Sequence, residues 1–404
     1  MPHTVTIGQN AAMDVNLALP LLGGLSPAVF MRRHWQKKPL LVRQAWPGVV
    51  PPLPRAALFA LAENDGVESR LVQQRGAVWQ VRSGPLPRRA LPPISRPGWT
   101  LLVQGLDLHV PAAHAMLQAF RFVPDARLDD LMVSWASPNG GVGPHVESYD
   151  VFLLQVQGRR RGRIGPLPGG ARGAAPALVE GAPLKLLRDF QPTQEWLLEA
   201  GDMLYLPPGW GHDGVAEGGD CVTCSVGFRA PAADELAREL LLRLSEADDA
   251  VPTLYRDPQQ AATATPAAVP LALQAFAQRA LERHLADPQA LPRALGEILS
   301  DPKPKVWFEG RSSGEISDGS DGSNSSDSAG QAVCLDARTR MLYDARHIFI
   351  NGESFVAAGR DARLMRSLAD TRQLSAGDRR GLSPGAAELL EDWRAAGWLH
   401  ATPV

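Results

Sequence analysis

A histidine and an acid two residues apart form the first constellation in the sequence that could do chemistry. His145 is followed by Glu147, and on a β-strand residues i and i+2 share one face with their Cα atoms about 6.5 Å apart. Both side chains could then reach one metal ion. With 9 histidines and 43 acids in 404 residues, chance predicts roughly one such pair. The pair alone therefore favours an ordinary structural role.

The second constellation is far more specific. Gly201, Pro207, Gly209 and His212 fit the pattern G-x5-P-x-G-x2-H, for which this composition predicts roughly 0.007 chance matches. The glycine turns the chain into a strand and the Pro-Pro-Gly sequence ends that strand. His212 is thereby delivered to the start of the next strand, where it can face the interior of a barrel.

Together the two constellations predict a facial triad of His145, Glu147 and His212. Three ligands on one face leave up to three coordination positions open, which suits a non-haem Fe(II) that must hold a co-substrate and oxygen together. Structural zinc prefers four closed ligands and usually cysteine, so zinc is the less favoured metal.

β-strands must position these residues, because residues 129–230 contain short apolar runs that are mostly bounded by Gly or Pro. The pattern predicts an antiparallel sandwich or barrel of about 100 residues. The runs are residues 131–135, 151–155, 203–206 and 222–228.

The remainder of the chain mixes helices and strands. Helical spacing follows Asp234, and further helices are predicted at 270–286 and 292–299, which need the barrel or a second subunit to pack on. Residues 312–330 are rich in Ser, Gly and Asp, which predicts a disordered segment. The strands and short helices beyond it are compatible with a small winged-helix-like module or another α+β fold.

Composition excludes several classes of protein. The net charge of −2 argues against binding of nucleic acid along the whole surface, as histones bind it. Three cysteines cannot form a disulfide framework. No Lys or Arg precedes Arg32, as a secretory signal would require, and no apolar run approaches the 18 or so residues of a membrane span. We expect a soluble, cytoplasmic protein without a membrane partner. The basic cluster from Arg32 to Arg43 is interpreted as a solvated face rather than an RNA contact.

Three segments carry a resemblance to a known family. They are the run from Asn139 to Phe152 with the arginines that follow Gly158, the run from Gly201 to His212, and the run from Ser225 to Arg229. Over about residues 100–232 the chain closely resembles the bacterial ribosomal oxygenases. These are JmjC-type cupins that use Fe(II) and 2-oxoglutarate to hydroxylate an arginine of a large-subunit ribosomal protein.

The resemblance implies roles for individual residues. Iron is implied on His145, Glu147 and His212, and the distal carboxylate of 2-oxoglutarate on Arg160, with Ser134 as a weaker candidate. A planar guanidinium can hold a carboxylate by two parallel hydrogen bonds, which agrees with that role.

This chain departs from the family at two positions. Glu147 stands where the family usually has Asp, and Gly162 stands where it tends to have a large aromatic residue. The longer carboxylate side chain could be absorbed by backbone adjustment, or it could weaken iron binding.

The resulting prediction is an α+β protein with a JmjC/cupin double-stranded β-helix (jelly roll), a helical dimerisation segment and a C-terminal winged-helix-like module. The expected segments are 1–99 (N-terminal elements), 100–232 (cupin core), 233–303 (helical) and 304–404 (winged-helix-like). The resemblance implies a homodimeric hydroxylase acting on an arginine of large-subunit ribosomal protein sixteen, without sequence-specific nucleic-acid binding. The alternatives are a weak or inactive ribosome-binding JmjC protein and a metal-dependent cupin acting on a small molecule.

Overall fold

The computed structural model describes residues 13–167, 176–246, 253–310 and 331–402. Two compact units are present, one of Met1–Ala230 with Lys305–Trp307 and the other of Pro231–Pro304 with Phe308–Val404. Each unit has its own buried apolar core. The segment 312–330, for which disorder is predicted, lies outside the described residues.

The first unit is dominated by β-strands. Its helices are α1 (Pro27–Arg33), α2 (Arg55–Leu61) and α3 (Pro111–Gln118). Its strands are β1 (Leu40–Val42), β2 (Ser69–Arg75), β3 (Val78–Ser83), β4 (Trp99–Val103), β5 (Leu128–Ala136), β6 (His145–Val146), β7 (Val151–Pro166), β8 (Gln194–Leu198), β9 (Met203–Leu206) and β10 (Trp210–Phe228). Ser26 caps α1 through its hydroxyl, and Pro27 occupies the first turn, both of which favour a helix start.

The ten strands form one antiparallel sheet. Its main path runs β1-β9-β7-β10-β5-β4-β2-β3, while β6 pairs with β10 and β8 pairs with β7. Aromatic rings fill the core on one face, where Phe30, Phe152 and Tyr205 lie with ring centroids 4.9 to 5.5 Å apart. Burial of such rings stabilises the sheet and holds β7 and β9 in place.

β7 and β10 are much longer than the apolar runs predict. β7 has 16 residues and β10 has 19, and the polar half of each continues the strand. Residues 159–163 of β7 pair with β10, and most of them also pair with β8. Their backbone groups are therefore satisfied on both sides, although their side chains carry no apolar signal.

The second unit begins with three helices and continues as a module of strands and helices. The first three helices are α4 (Ala233–Glu246), α5 (Leu271–His284) and α6 (Ala290–Ser300). The helices of the module are α7 (Gly359–Thr371), α8 (Ala376–Arg379) and α9 (Pro384–Ala395). The strands are β11 (Val333–Leu335), β12 (Met341–Tyr343), β13 (His347–Ile350), β14 (Glu353–Val356), β15 (Gln373–Leu374) and β16 (Leu399–Ala401). They form two three-stranded sheets, β15-β11-β16 and β12-β13-β14.

A close helix–sheet contact organises this second unit. A Cβ added to Gly296 of α6 would lie 2.2 Å from the ring of Phe349 on β13, so only glycine allows this approach. The module core is completed by buried apolar residues of α7, α9 and the strands, among them Leu368, Leu390 and Trp393. These elements fold around one core, as a small winged-helix-type module does.

Candidate active site

Side chains from β4, β5, β7 and β10 line a cavity of about 330 Å³ in the first unit. All five residues that the sequence singles out for iron and 2-oxoglutarate lie on its wall: His145, Glu147, His212, Arg160 and Ser134. They come from four separate strands or loops, so the fold brings together residues up to 78 positions apart in the sequence.

The two histidines are brought together by strand pairing. His145 begins β6 and lies directly opposite His212 in the antiparallel pair of β6 with β10. Their ring centroids are 4.1 Å apart and their rings are tilted by 53°. On its other side His212 is paired with Ile164 of β7, so its backbone is fixed between two strands.

Backbone carbonyls select the tautomer of both imidazole rings. The Nδ1 of His145 lies 2.9 Å from the carbonyl oxygen of Gly143, and the Nδ1 of His212 lies 3.3 Å from that of Trp210. A carbonyl can only accept, so each Nδ1 carries the proton. In the neutral ring this leaves the lone pair on Nε2, which is the state of a histidine that is ready to ligate a metal ion.

Burial keeps His212 neutral. The side chain is 8% exposed, and desolvation together with the neighbouring His145 holds its pKa well below the usual value near 6.5. A metal ion therefore does not have to displace a proton from this ring at neutral pH.

Glu147 lies next to the histidines. Its Oε1 is 3.7 Å from the Nε2 of His145, and its side chain is about one third exposed. β6 ends at Val146, so Glu147 lies one residue beyond the strand, although its side chain lines the same cavity as that of His145. Within the described ranges, no three His, Cys, Asp or Glu side chains are arranged to hold a metal ion as they stand.

Tyr149 lines the same cavity. Burial raises the pKa of its phenol, as do the charge of Glu147 and a hydrogen bond with that carboxylate. The phenol therefore stays protonated and can donate to the carboxylate.

The Pro-Pro-Gly turn is tied to the opposite side of the site. Gly209 has φ +79°, and its N–H donates to the carbonyl of Glu147 at 3.2 Å. The sequence predicts this turn, but not its contact with Glu147.

A strap at residues 186–190 covers the outer side of the two histidine segments. The N–H of Leu187 donates to the carbonyl of Pro144 at 2.8 Å. A Cβ on Gly143 would lie 2.7 Å from Leu186, and one on Gly211 would lie 3.0 Å from Phe190. The strap therefore clamps the residues that precede His145 and His212.

Arg160 points into the cavity and its neighbours point away from it. Its guanidinium donates to the Oγ of Ser134 at 3.3 Å and to the carbonyl of Gly214 at 3.4 Å. Its Nε is buried and has no partner in the described part of the chain. Arg161 instead forms exposed ion pairs with Glu195 and Glu217, as the strand alternation predicts.

Sequence reasoning missed an acidic part of the cavity wall. Asp129 and Asp130 line it, together with Met132 and Thr223. The signal was available in the alternation of β5, because Asp130, Met132 and Ser134 are spaced by two residues and share one face. Arg229 lies 3.5 Å from the Asp129 carboxylate, and the N–H of Gly105 donates to that of Asp130 at 2.8 Å.

The two strand cysteines are not part of any site. Cys221 and Cys224 are both free and buried. They belong to different apolar clusters, and burial raises the pKa of the Cys224 thiol to about 12. Residues i and i+3 on a strand point to opposite faces, which explains why the two thiols lie in separate clusters.

Two imidazole nitrogens and a carboxylate on one cavity wall are the donor types of a non-haem iron site. Gly162 lines the same wall, and a Cβ there would have ordinary contact with Leu198 at 3.6 Å. The donor set therefore fits Fe(II), with a guanidinium in the same cavity for an anionic co-substrate.

Comparisons with known proteins agree with this architecture. A JmjC domain model matches residues 115–236, and a ROXA-like winged helix model matches residues 283–400. An AraC-like ligand binding domain model also matches residues 193–286.

Two relatives share the catalytic region. "Ribosomal protein uL16 3-hydroxylase" of Escherichia coli is 40% identical over 209 residues, which cover 51% of this chain and 53% of the relative. "Probable ribosomal oxygenase" of Haemophilus influenzae is 35% identical over 226 residues, 55% of this chain and 53% of the relative. The aligned part spans about half the length of both relatives.

Solved structures match over nearly the whole chain. An X-ray structure of Escherichia coli YcfD has a TM-score of 0.76 at 27% identity and covers 93% of this chain and 98% of that one. A structure of YcfD described as a ribosomal oxygenase in complex with cobalt and 2-oxoglutarate has a TM-score of 0.75 at 28% identity, covering 94% and 99%.

The fold and the cavity thus define a JmjC-type cupin followed by a winged helix, which confirms the predicted fold class. Within that class, its JmjC and winged-helix regions are similar to those of bacterial ribosomal oxygenases. In the described residues, no helix is long and apolar enough to cross a membrane.

Proposed function

We propose that the protein is an Fe(II)- and 2-oxoglutarate-dependent oxygenase that hydroxylates an arginine of a large-subunit ribosomal protein. The observation that carries the proposal is the pair of imidazole rings whose Nε2 atoms are left free by carbonyl-bound Nδ1 atoms, in one cavity with Arg160. The cobalt and 2-oxoglutarate in a YcfD structure support it.

In this proposal His145, His212 and Glu147 hold the metal ion. When bound, Fe(II) couples oxidative decarboxylation of 2-oxoglutarate, which yields succinate and CO₂, to insertion of one oxygen atom of O₂ into a substrate C–H bond. The two histidines enter with the correct tautomer, whereas Glu147 has to turn towards them because its Oε1 now lies 3.7 Å from His145. Its partial exposure leaves room for that rotation.

Arg160 binds the distal carboxylate of 2-oxoglutarate. Its two Nη atoms make only long hydrogen bonds to Ser134 and Gly214, and its Nε has no described partner. A carboxylate offers the guanidinium two short, charge-assisted bonds, so the co-substrate replaces weak contacts by strong ones. Ser134 adds a hydroxyl on the same wall.

The acidic wall supports a cationic substrate side chain. Asp129 and Asp130 line the cavity with Tyr149. A guanidinium is recognised by carboxylates through paired hydrogen bonds and stays charged at every working pH. The wall therefore fits an arginine, and the uL16 named for the Escherichia coli relative provides the candidate protein.

The test combines the purified protein anaerobically with Fe(II), 2-oxoglutarate and the uL16-type ribosomal protein, and then admits air. Peptide mass spectrometry is expected to find one added oxygen on an arginine, and His212→Ala is expected to abolish it. Glu147→Asp shows whether the longer ligand limits turnover. Ribosomal-protein binding without oxygenation in the wild type would indicate an inactive binding protein. Succinate formation with no change in any ribosomal protein would indicate a small-molecule substrate.

We also propose that the helices of the second unit form a homodimer. No residue of α5 is buried in the described chain, and large apolar side chains are exposed on α4 and α5, among them Leu241, Leu242, Leu271 and Leu281. Leucines on an amphipathic helix gain by packing against another apolar face. Light scattering of the wild type should give twice the 43.5 kDa chain mass, and Leu271→Gln with Leu281→Gln should give the monomer mass. A monomeric wild type would contradict the proposal.

A further inference from the structure

Positive charge is concentrated at one end of the chain. Residues 15–106 contain 12 Lys or Arg and 3 Asp or Glu, whereas the other 312 residues contain 29 Lys or Arg and 40 acids. The net charge of −2 therefore hides a strongly basic N-terminal span. Such an asymmetry indicates an anionic partner for that span.

The most continuous part of this charge lies on the hairpin β2–β3 and the loop after it. No acid occurs between Glu68 and Asp107, while the same stretch contains six arginines. Five of them have exposed side chains: Arg75, Arg82, Arg88, Arg89 and Arg96. We call these five the hairpin arginines. None forms an ion pair with a described residue.

Backbone contacts gather the hairpin arginines on one surface. The N–H of Gln74 donates to the carbonyl of Gly98 at 2.8 Å, which places Arg75 beside the loop that carries Arg96. At the other end, Arg82 donates to the carbonyl of Ala90 at 3.3 Å, next to Arg88 and Arg89. Arg75 pairs with Val78 across the hairpin. Arg82 lies four residues beyond Val78 on β3, which separates the positions of Arg75 and Arg82 by about 13 Å along the strand.

Trp79 connects strand β3 with the candidate active site. A Cβ on Gly143 would lie 2.9 Å from its ring, and the carbonyl of Gly143 is the acceptor for His145. Strand alternation places Trp79 on one face of the hairpin and Arg75 and Arg82 on the other. A partner on the hairpin arginines would therefore bind the face of the hairpin opposite to the one that contacts Gly143.

The charge pattern fits RNA. A nucleic-acid strand carries one phosphate per about 3.4 Å of duplex axis, so the two ends of the patch span about four phosphates. Arginine binds phosphate oxygens by paired hydrogen bonds. The edge strand β3 has no further strand partner in the described sheet, and its one arginine, Arg82, is exposed to a ligand that follows the phosphate backbone.

We propose that the hairpin arginines bind the phosphate backbone of RNA without reading its sequence. This goes beyond the proposed hydroxylation, because it adds a second partner and a second surface. It also assigns nucleic-acid contact to the cupin unit rather than to the winged helix, whose α9 has the exposed acids Glu388 and Asp392.

The experiment measures fluorescence anisotropy of a labelled mixed-sequence 20-nucleotide RNA over a salt series, with no iron or 2-oxoglutarate. The test variant replaces Arg75, Arg82, Arg89 and Arg96 by Gln, and keeps Arg88 because it stacks on Phe59. The matched control replaces the four exposed cations Arg32, Arg33, Lys37 and Lys38 by Gln, which removes the same charge from the same unit.

We expect wild-type binding that weakens with salt. The test variant should bind roughly tenfold or more weakly, with a log–log salt slope reduced by about 2 to 3, while the control stays near wild type. Absence of wild-type binding near 50 mM salt, an equal loss in both variants, or equal competition by polyglutamate would overturn the proposal. Hydroxylation of the isolated ribosomal protein is measured without RNA, so failure of one proposal leaves the other open to its own test.

Discussion

Histidines are used differently in the two units. In the first unit, the Nδ1–H groups of His145 and His212 donate hydrogen bonds to backbone carbonyls, so that Nε2 carries the lone pair of the neutral ring. In the second unit, His347 lies 3.2 Å from Asp344 and His400 lies 2.7 Å from Asp336. Burial, not the carbonyl partner, holds the pKa of His212 below its usual value. The first arrangement leaves one ring nitrogen available to a ligand in the cavity, whereas the second uses the ring for contacts within the fold.

Arginines show the same contrast. Arg160 makes long contacts around an open cavity, whereas Arg338 and Arg379 of the second unit are held by Asp336 and Glu391. A guanidinium whose N–H groups already donate to carboxylates of the protein has few donors left for a ligand. The comparison therefore locates ligand chemistry in the first unit and internal stabilisation in the second.

The sharpest test of that comparison is Arg160→Ala. In the proposed role of Arg160 the substitution removes two charge-assisted hydrogen bonds to the co-substrate, so 2-oxoglutarate should bind about 100-fold more weakly or worse. Arg160→Lys keeps the charge but not the paired geometry and should recover part of the affinity. Calorimetric titration of the Mn(II)-loaded protein with 2-oxoglutarate provides the measurement. Unchanged affinity in Arg160→Ala would remove this residue from the site.

A second test concerns the strap over the histidines. Gly143→Ala forces a Cβ against Leu186 and Trp79 and displaces the carbonyl that orients His145. Loss of such an orienting contact typically lowers metal affinity by 10- to 100-fold, which Co(II) competition against a chelator can measure. Gly181→Ala is the matched control: its φ of +69° is similar to the +77° of Gly143, but open space surrounds it. Equal losses of metal affinity in both variants would show that backbone strain, and not the contact with Leu186 and Trp79, causes the loss.

The second unit should respond in stability instead. Desolvation alone would raise the pKa of Asp336, but hydrogen bonds from Arg338 and His400 outweigh it and lower the pKa to about 2. Because the folded-state pKa is depressed, the carboxylate stabilises the fold above the unfolded pKa near 4, and this contribution falls away as the pH drops towards 2. At neutral pH it amounts to about 2 kcal/mol.

Asp336→Asn should therefore lower the thermal midpoint of the second unit at pH 7, by an amount that shrinks between pH 4 and pH 2. Differential scanning calorimetry measures the midpoint, and Asp392→Asn on the exposed face of α9 is the control. Oxygenation of the substrate should not change. A deficit that stays constant down to pH 2 would show that the pairing of Asp336 does not depend on its charge.

Local sequence signals predicted much of the fold. The turn between β13 and β14 follows from Asn351-Gly352, whose φ values of 48° and 88° are those that a two-residue hairpin favours. The polar halves of β7 and β10 were missed, because strands satisfied by pairing on both sides need no apolar pattern. The helix α6 starts at Ala290 rather than at Pro292, and element ends are the least certain part of any pattern.

The candidate site was predictable where one motif carries a residue and unpredictable where tertiary contacts do. His212 follows from its turn, and Arg160 from the family pattern and the alternation of β7. The strap at residues 186–190 has no signature in the sequence, since its role arises only when Leu187 meets Pro144. Asp130 could have been found from the face it shares with Ser134, but its partners across the cavity could not.

The smallest expected effect belongs to Arg161, and it completes the contrast with Arg160. Arg161 lies one residue further along β7 and has two carboxylate partners, Glu195 and Glu217, on the exposed side of the strand. Water competes for such pairs, and many of them contribute nothing measurable to stability. Arg161→Gln should therefore leave the thermal midpoint and the affinity for 2-oxoglutarate at wild-type values. A loss of 2-oxoglutarate affinity would show that strand alternation does not separate the two arginines. If Arg161→Gln keeps the affinity for 2-oxoglutarate, the effect of Arg160→Ala comes from the position of Arg160 on the cavity side of the strand. The number of partners that each arginine has does not explain it.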